Sequence, residues 1–97
     1  MIHQFGVYQY STQPVVVITN TIFNDVESIL VAPLKEQRST YITNIQIAVK
    51  LDSKDYLVDL LDLATVTKSR LKPSFEQNLK QYRNEIKSGI DLLIDGF

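Results

Sequence analysis

The stretch Arg83-Asn84-Glu85-Ile86-Lys87-Ser88-Gly89-Ile90-Asp91-Leu92-Leu93-Ile94-Asp95-Gly96-Phe97 decides how this chain is read. Ile86, Ile90 and Leu93 recur at spacings of four and three, which puts them on one face of an α-helix. Upstream, Phe75, Leu79 and Tyr82 continue the same stripe, and the pattern begins just after Pro73. Ser74 is a good N-cap residue with Gln77 three positions later, a capping-box arrangement. The spacing therefore predicts one amphipathic helix from Ser74 almost to Phe97, about 30 Å long at ~1.5 Å per residue. Gly89 lies beside the apolar stripe, where glycine costs roughly 1 kcal/mol relative to alanine. Close approach of a second backbone explains it better than chance does. Gly96 can turn the chain out of the helix, which leaves the aromatic Phe97 either buried against the body or held out for a partner.

Everything before Pro73 carries the other period. Gln4 to Tyr10 splits Phe5 and Val7 from Gln4, Tyr8 and Tyr10. Pro14 precedes Val15-Val16-Val17-Ile18-Thr19, a β-branched run suited to a strand. Asn20 to Glu27 is polar apart from Ile22, Phe23 and Val26, and reads as a loop. Ile29 to Leu34 is a strand whose Pro33 predicts an edge or a bulge. Ile45, Ile47, Val49 and Leu51 alternate with Asn44, Gln46, Ala48 and Lys50, the cleanest period-2 pattern present. Asp52 to Asp55 then turns the chain, Tyr56 to Leu61 returns as hairpin partner, and Leu63 to Val66 adds a short strand. Antiparallel strands followed by a long helix imply an α+β domain with a partly closed barrel or strongly twisted sheet.

Composition narrows the function. Ninety-seven residues with 44% hydrophobic content form one domain with a modest core, spanning 1–97. No apolar run is long enough for a membrane span, and Met1-Ile2-His3-Gln4 lacks the basic start of a signal peptide, so a cytoplasmic protein is expected. There is no cysteine for disulfide or thiolate chemistry, and a net charge of −1 does not favour unaided nucleic-acid binding. His3 is the single histidine, and it reads as a surface residue with no second ligand for a metal. No glycine-rich phosphate loop exists. Asp59 with Asp62, and Asp52 with Asp55, read as solvated acids rather than catalytic pairs. The tyrosines Tyr8, Tyr10, Tyr41, Tyr56 and Tyr82 read as half-buried strand residues. No catalytic group, cofactor or metal is expected, and the natural partner is protein.

Taken in order, several of these pieces resemble the CcdB toxins of bacterial toxin–antitoxin modules over nearly the whole chain. The matching residues are Gln4-Phe5 with Val7-Tyr8, Val31-Ala32-Pro33-Leu34, Asp62-Leu63-Ala64-Thr65-Val66, Arg83-Asn84-Glu85-Ile86, Ile90-Asp91 and Gly96. The resemblance implies an SH3-like, partly open barrel of antiparallel strands with a long C-terminal helix. It also implies a homodimer that poisons DNA gyrase by binding its A subunit and trapping the cleaved complex. A CcdA-like antitoxin would neutralise it, and operator DNA would be bound only through the antitoxin complex. Carried over by position, the gyrase-binding residues are Asn20, Ile22, Phe23, Asp91, Asp95, Gly96 and Phe97. Asp95 stands where well-known members have tryptophan, a departure that bears on gyrase binding. Two alternatives follow: a diverged relative that binds antitoxin but no longer poisons gyrase, or an endoribonuclease of the MazF/Kid type using Arg38 or Arg70.

Overall fold

The computed structural model describes residues 2–23 and 25–96, and the side chains of Phe23, Phe75 and Glu76 lie outside that description. Seven strands form one sheet: β1 (Gly6–Tyr10), β2 (Gln13–Val17), β3 (Ser28–Glu36), β4 (Gln46–Leu51), β5 (Lys54–Asp59), β6 (Ala64–Thr67) and β7 (Leu71–Asn78). Their spatial order is β4-β5-β3-β2-β1-β7, with β6 pairing β3 off that path. All the pairings are antiparallel. The helix α1 (Arg83–Asp95) follows. This is the expected α+β plan, a curved open sheet with a C-terminal helix.

Both faces of the sheet are covered, and the side-chain period of two sorts neighbours between them. Val16 packs with Phe5, Val7, Leu34, Val58 and Ile86 in one cluster. Val15 and Val17 pack with Tyr8, Val31 and Val66 in the other. A run of three valines therefore has no polar position, because neither face meets water. The split of Phe5 and Val7 from Tyr8 and Tyr10 appears as expected.

Pro33 departs from expectation. It is buried within β3, opposite Val15 of β2, and not at an edge. On its other side β3 pairs β6 through Ser28–Val31 and β5 through Leu34–Glu36. Pro33 falls in the gap between the two partners, where a missing N–H donor leaves no ladder bond unmade.

The helix is also shorter than expected. Leu71 to Asn78 is a strand, and α1 begins only at Arg83, after a 3₁₀ turn at Lys80–Tyr82. Ser74 is no N-cap. It lies in β7, and its hydroxyl donates to Gln9 Oε1 at 3.5 Å. Gln77 Oε1 instead accepts from the backbone N–H of Asp52 at 2.9 Å, holding β7 to the β4–β5 turn. Pairing with β1 outweighs the local helical pattern, and Pro73 is tolerated because β7 is an edge strand. The true start is marked by Asn78, whose Oδ1 accepts from the Lys80 N–H at 3.0 Å.

Gly89 fulfils its reading. A Cβ there would stand 2.5 Å from Leu60 Cδ1 and 2.6 Å from the backbone oxygen of Asn44. Only glycine lets the helix lie this close to the 3₁₀ turn Leu60–Asp62 and the segment entering β4. At the other end Gly96 adopts φ 77° and its N–H bonds to the Leu92 carbonyl at 2.8 Å, closing the helix with a left-handed cap.

Candidate docking surface

Helical geometry, at about 100° per residue, assigns each residue of α1 to a side. Ile86 and Gly89 are buried, Ile90 is half-buried, and Leu93 closes that face at 39% exposure. Asp91 and Asp95 share the solvent face with Asn84 and Ser88, and all four are exposed. Arg83, Lys87, Ile90 and Ile94 form a flank. That flank borders a cleft of about 210 Å³ whose opposite wall holds Gln4, Phe5 and Ile18.

Thr21, near the start of the Asn20–Glu27 loop, lies across a cleft from the start of this flank. A neighbouring cleft of about 270 Å³ is lined by Thr21 together with Gln4, Phe5 and Arg83. Gln4 fixes the base of the loop: its backbone N–H donates to Thr21 Oγ1 at 3.2 Å and its Nε2 to the Ile18 carbonyl at 2.9 Å. Within the loop, Asn20 Oδ1 accepts from the Ile22 N–H at 3.0 Å and shapes a 3₁₀ turn over Thr21–Phe23. Ile22 projects from it, 77% exposed. Asn20 thus positions a backbone turn, and Ile22 is the surface it presents. Ile94, on α1, is 74% exposed. No other exposed large hydrophobic among the described residues reaches these values. Of the remaining site residues, Asp91, Asp95 and Gly96 are exposed on or just past the helix end. Phe97 and the Phe23 side chain lie outside the described residues.

The acidic pairs separate. Asp52 and Asp55 are exposed, as expected, and Asp55 makes only a surface pair with Lys50 at 3.5 Å. Asp59 corrects the solvated reading: it is 4% exposed. Its Oδ2 accepts from Lys35 Nζ at 2.8 Å, and its Oδ1 from the Leu61 N–H at 3.1 Å, capping the turn on which Leu60 meets Gly89. Burial pushes the carboxyl pKa up. Bonds from Lys35, Gln46 and the Leu61 N–H outweigh it and hold the net value below the usual carboxylate range. The bond to Asp59, opposed by partial burial and aided by Asp62, raises Lys35 in turn. Asp62 stays exposed, 3.2 Å from the same ammonium. This is a structural clamp that ties β3 to the turn beneath α1.

Arg38 and Arg70 sit on different connections, β3–β4 and the 3₁₀ turn between β6 and β7. Arg38 opens on clefts it shares with Gln37, Tyr56, Glu36 and Asp55, and the carboxylates of Glu36 and Asp55 oppose an RNA phosphate. His3 is exposed, and no cluster of metal-binding side chains occurs among the described residues. Nor is any described helix long and apolar enough to cross a membrane.

With this geometry in place, the sequence profile of the family described as "CcdB protein" matches residues 4–96. The chain belongs to the CcdB family of toxins. No curated protein sequence matches it. Similar folds occur among solved toxins. An endoribonuclease in complex with its cognate antitoxin from mycobacterial species superposes with a TM-score of 0.78 at 15% identity, covering 95% of this chain and 93% of that one. The Mycobacterium tuberculosis toxin MazF-mt6 gives 0.76 at 13% identity, with 93% and 96% covered. A further Mtb toxin gives 0.73 at 14% identity, with 87% and 94% covered. At these identities the likeness is one of fold. In this CcdB-family chain, sequence reasoning missed Ile94 as a surface residue. The signal was present: Ile94 follows Arg83, Lys87 and Ile90 along the flank, one step off the buried stripe.

Proposed function

We propose that this CcdB-family protein is the toxin of an antitoxin-controlled pair, and that it acts in the cytoplasm as a DNA gyrase poison without chemistry of its own. The observation that carries the reading is the exposure of Ile22 and Ile94, two large apolar side chains that the fold leaves out of its core. Ile22 sits on the loop whose base residue Thr21 shares a cleft with Arg83 of α1, and Ile94 lies on the same side of α1 as Arg83. Asp91, Asp95 and Gly96 complete the helix end beside them. In a symmetric homodimer two such ends form one two-fold surface, suited to a two-fold target such as the paired A subunits of gyrase. A few apolar anchors of this kind dominate the energetics of an interface. A CcdA-like antitoxin would bind the dimer, and the complex would repress its own operon. Induction in a gyrase-sensitive host should arrest growth and break DNA, with rescue by a gyrase A variant unable to bind the toxin. Normal growth and intact chromosomes after induction would reject the reading.

A second reading draws on Asp95. It places an exposed carboxylate at the helix end, where an aromatic anchor would give an apolar surface. A relative that binds antitoxin without engaging gyrase fits that charge. Co-purification with antitoxin, together with no gyrase-dependent cleavage, selects it. Absence of RNA cleavage on induction sets both apart from a MazF-type nuclease, since loss of activity on changing Arg38 or Arg70 is what that alternative requires.

A further inference from the structure

On its other side α1 meets a polar cleft. Asn84, Glu85, Ser88 and Leu92 fall within about 100° of helical arc, roughly opposite the flank of Arg83, Lys87 and Ile94. They form one wall of a cleft of about 590 Å³, and the β3–β4 connection with the start of β4 forms the other. That volume suits a small molecule.

Both walls are fixed by bonds that lie outside the cleft. The Ile42 carbonyl accepts from the Gln46 N–H at 2.8 Å, and Gln46 Oε1 accepts in return from the Ile42 N–H at 2.9 Å. Gln46 also bonds the buried Asp59, and the Ile45 carbonyl accepts from the Leu60 N–H at 3.1 Å. Asn44, at φ 72°, sets its carbonyl against Gly89 of the helix. The shape is therefore preorganised, while the polar side chains on it are uncommitted. Among the described residues, Tyr41, Thr43, Asn44, Asn84, Glu85 and Ser88 make no side-chain hydrogen bond or ion pair. Ser88 stands in mid-helix, where serine is a weak helix former, so folding gives no reason for it.

We propose that this cleft binds a small polyhydroxylated molecule bearing one ammonium group, an amino sugar in its simplest form. The hydroxyls of Thr43 and Ser88 and the amides of Asn44 and Asn84 can each donate and accept, as adjacent sugar hydroxyls require. The Tyr41 ring, Ala48 and Leu92 offer apolar surface to the C–H face of a pyranose. Glu85 is the one charged residue of the lining and selects a cation. No lysine, arginine or histidine lines the cleft, which disfavours phosphates and carboxylates. Lys50, next along the same side of β4, is paired with Asp55 at 3.5 Å. A folded protein would seek the exposed Ile22 and Ile94 instead, and neither borders the cleft. Binding here needs neither gyrase nor antitoxin, so it stands or falls apart from the proposed toxin role.

Amide NMR shifts of the isotope-labelled protein, titrated with glucosamine, glucose and glucuronate, test this with probes of one ring size and three charges. Glucosamine should bind most tightly and glucuronate least, with shifts centred on Thr43, Asn44, Asn84 and Ser88. Glu85→Gln should lower the glucosamine affinity about two- to fivefold, as for a partly exposed charge pair, and leave glucose unchanged. Ser88→Ala should weaken both sugars, and because alanine is the better helix former this variant should melt no lower than wild type. Ala48→Trp, at an exposed strand position, should fill the cleft and abolish binding. No shifts at the cleft, glucuronate binding as well as glucosamine, or wild-type glucosamine binding in Glu85→Gln or Ser88→Ala would each overturn the proposal.

Discussion

The root and the tip of α1 obey different rules. At the root, Ile86 is 0% exposed and Gly89 rests against Leu60 and Asn44, at distances no larger residue accepts. At the tip, Ile94 is 74% exposed and Asp91 and Asp95 stand in solvent. Charge sharpens the contrast. The last turn carries no basic residue and ends in Asp95, so acids occupy the negative end of the helix dipole. Folding accounts for Ile86 and Gly89 at the root and for almost nothing at the tip. A scattered surface isoleucine needs no explanation by itself. Two strongly exposed isoleucines, Ile22 and Ile94, together with acids at the negative end of the helix do, and the proposed recognition role is what would supply it.

The sharpest way to break the comparison is to truncate both ends equally. Ile86→Ala should destabilise by about 2–5 kcal/mol, since it empties a closed core. Ile94→Ala should fall within about 0.5 kcal/mol of wild type. Urea titration measures both, and comparable losses would show that the tip is packed. Next in size, Gly89→Ala forces a Cβ into Leu60 and the Asn44 carbonyl, and overpacking of this kind costs roughly 1–3 kcal/mol. Wild-type stability in that variant would mean the approach is loose.

Asp59→Ala should cost about 1–2 kcal/mol, because it removes a cap and strands a lysine and an N–H. Its pH signature is specific. The folded carboxyl titrates below its unfolded value, so its stabilisation is present above the ordinary carboxylate pKa and lost as pH falls through the lower folded one. Lys35 is raised, so its share is complete below the ordinary lysine pKa and lost as pH rises past the raised one. Comparing melts of wild type and Asp59→Ala between neutral pH and the acid limb should show the gap closing with acid; a constant gap contradicts the clamp. The smallest effect has the opposite sign. Asp95→Lys should stabilise the fold by about 0.3–1 kcal/mol through the helix dipole, raising the melting temperature while altering whatever the tip binds.

Much of the fold was legible in the residues. The alternation through Ile45 to Leu51 gave β4 directly, and Gly89 announced a close approach that the structure contains. Two features were not. The stripe Phe75-Leu79-Tyr82 has helical spacing, yet Leu71–Asn78 pairs with β1, because a long-range ladder is invisible to a local pattern. Pro33 reads as an edge residue unless one knows that β3 changes partners beside it. At the candidate surface, Ile22 stood out as apolar in a polar loop. Ile94 hid inside an apolar run, where only the angular step between Leu93 and Ile94 separates core from solvent. Asp59 hid for a related reason, since its partner Lys35 is distant in sequence.

The most direct test is a gyrase–DNA cleavage assay with the purified protein and an Ile22→Ser/Ile94→Ser variant of matched melting temperature. The account predicts linear, protein-linked DNA with wild type and its loss with the variant. Absence of trapped cleavage by the wild-type protein, or equal trapping by both, would contradict it.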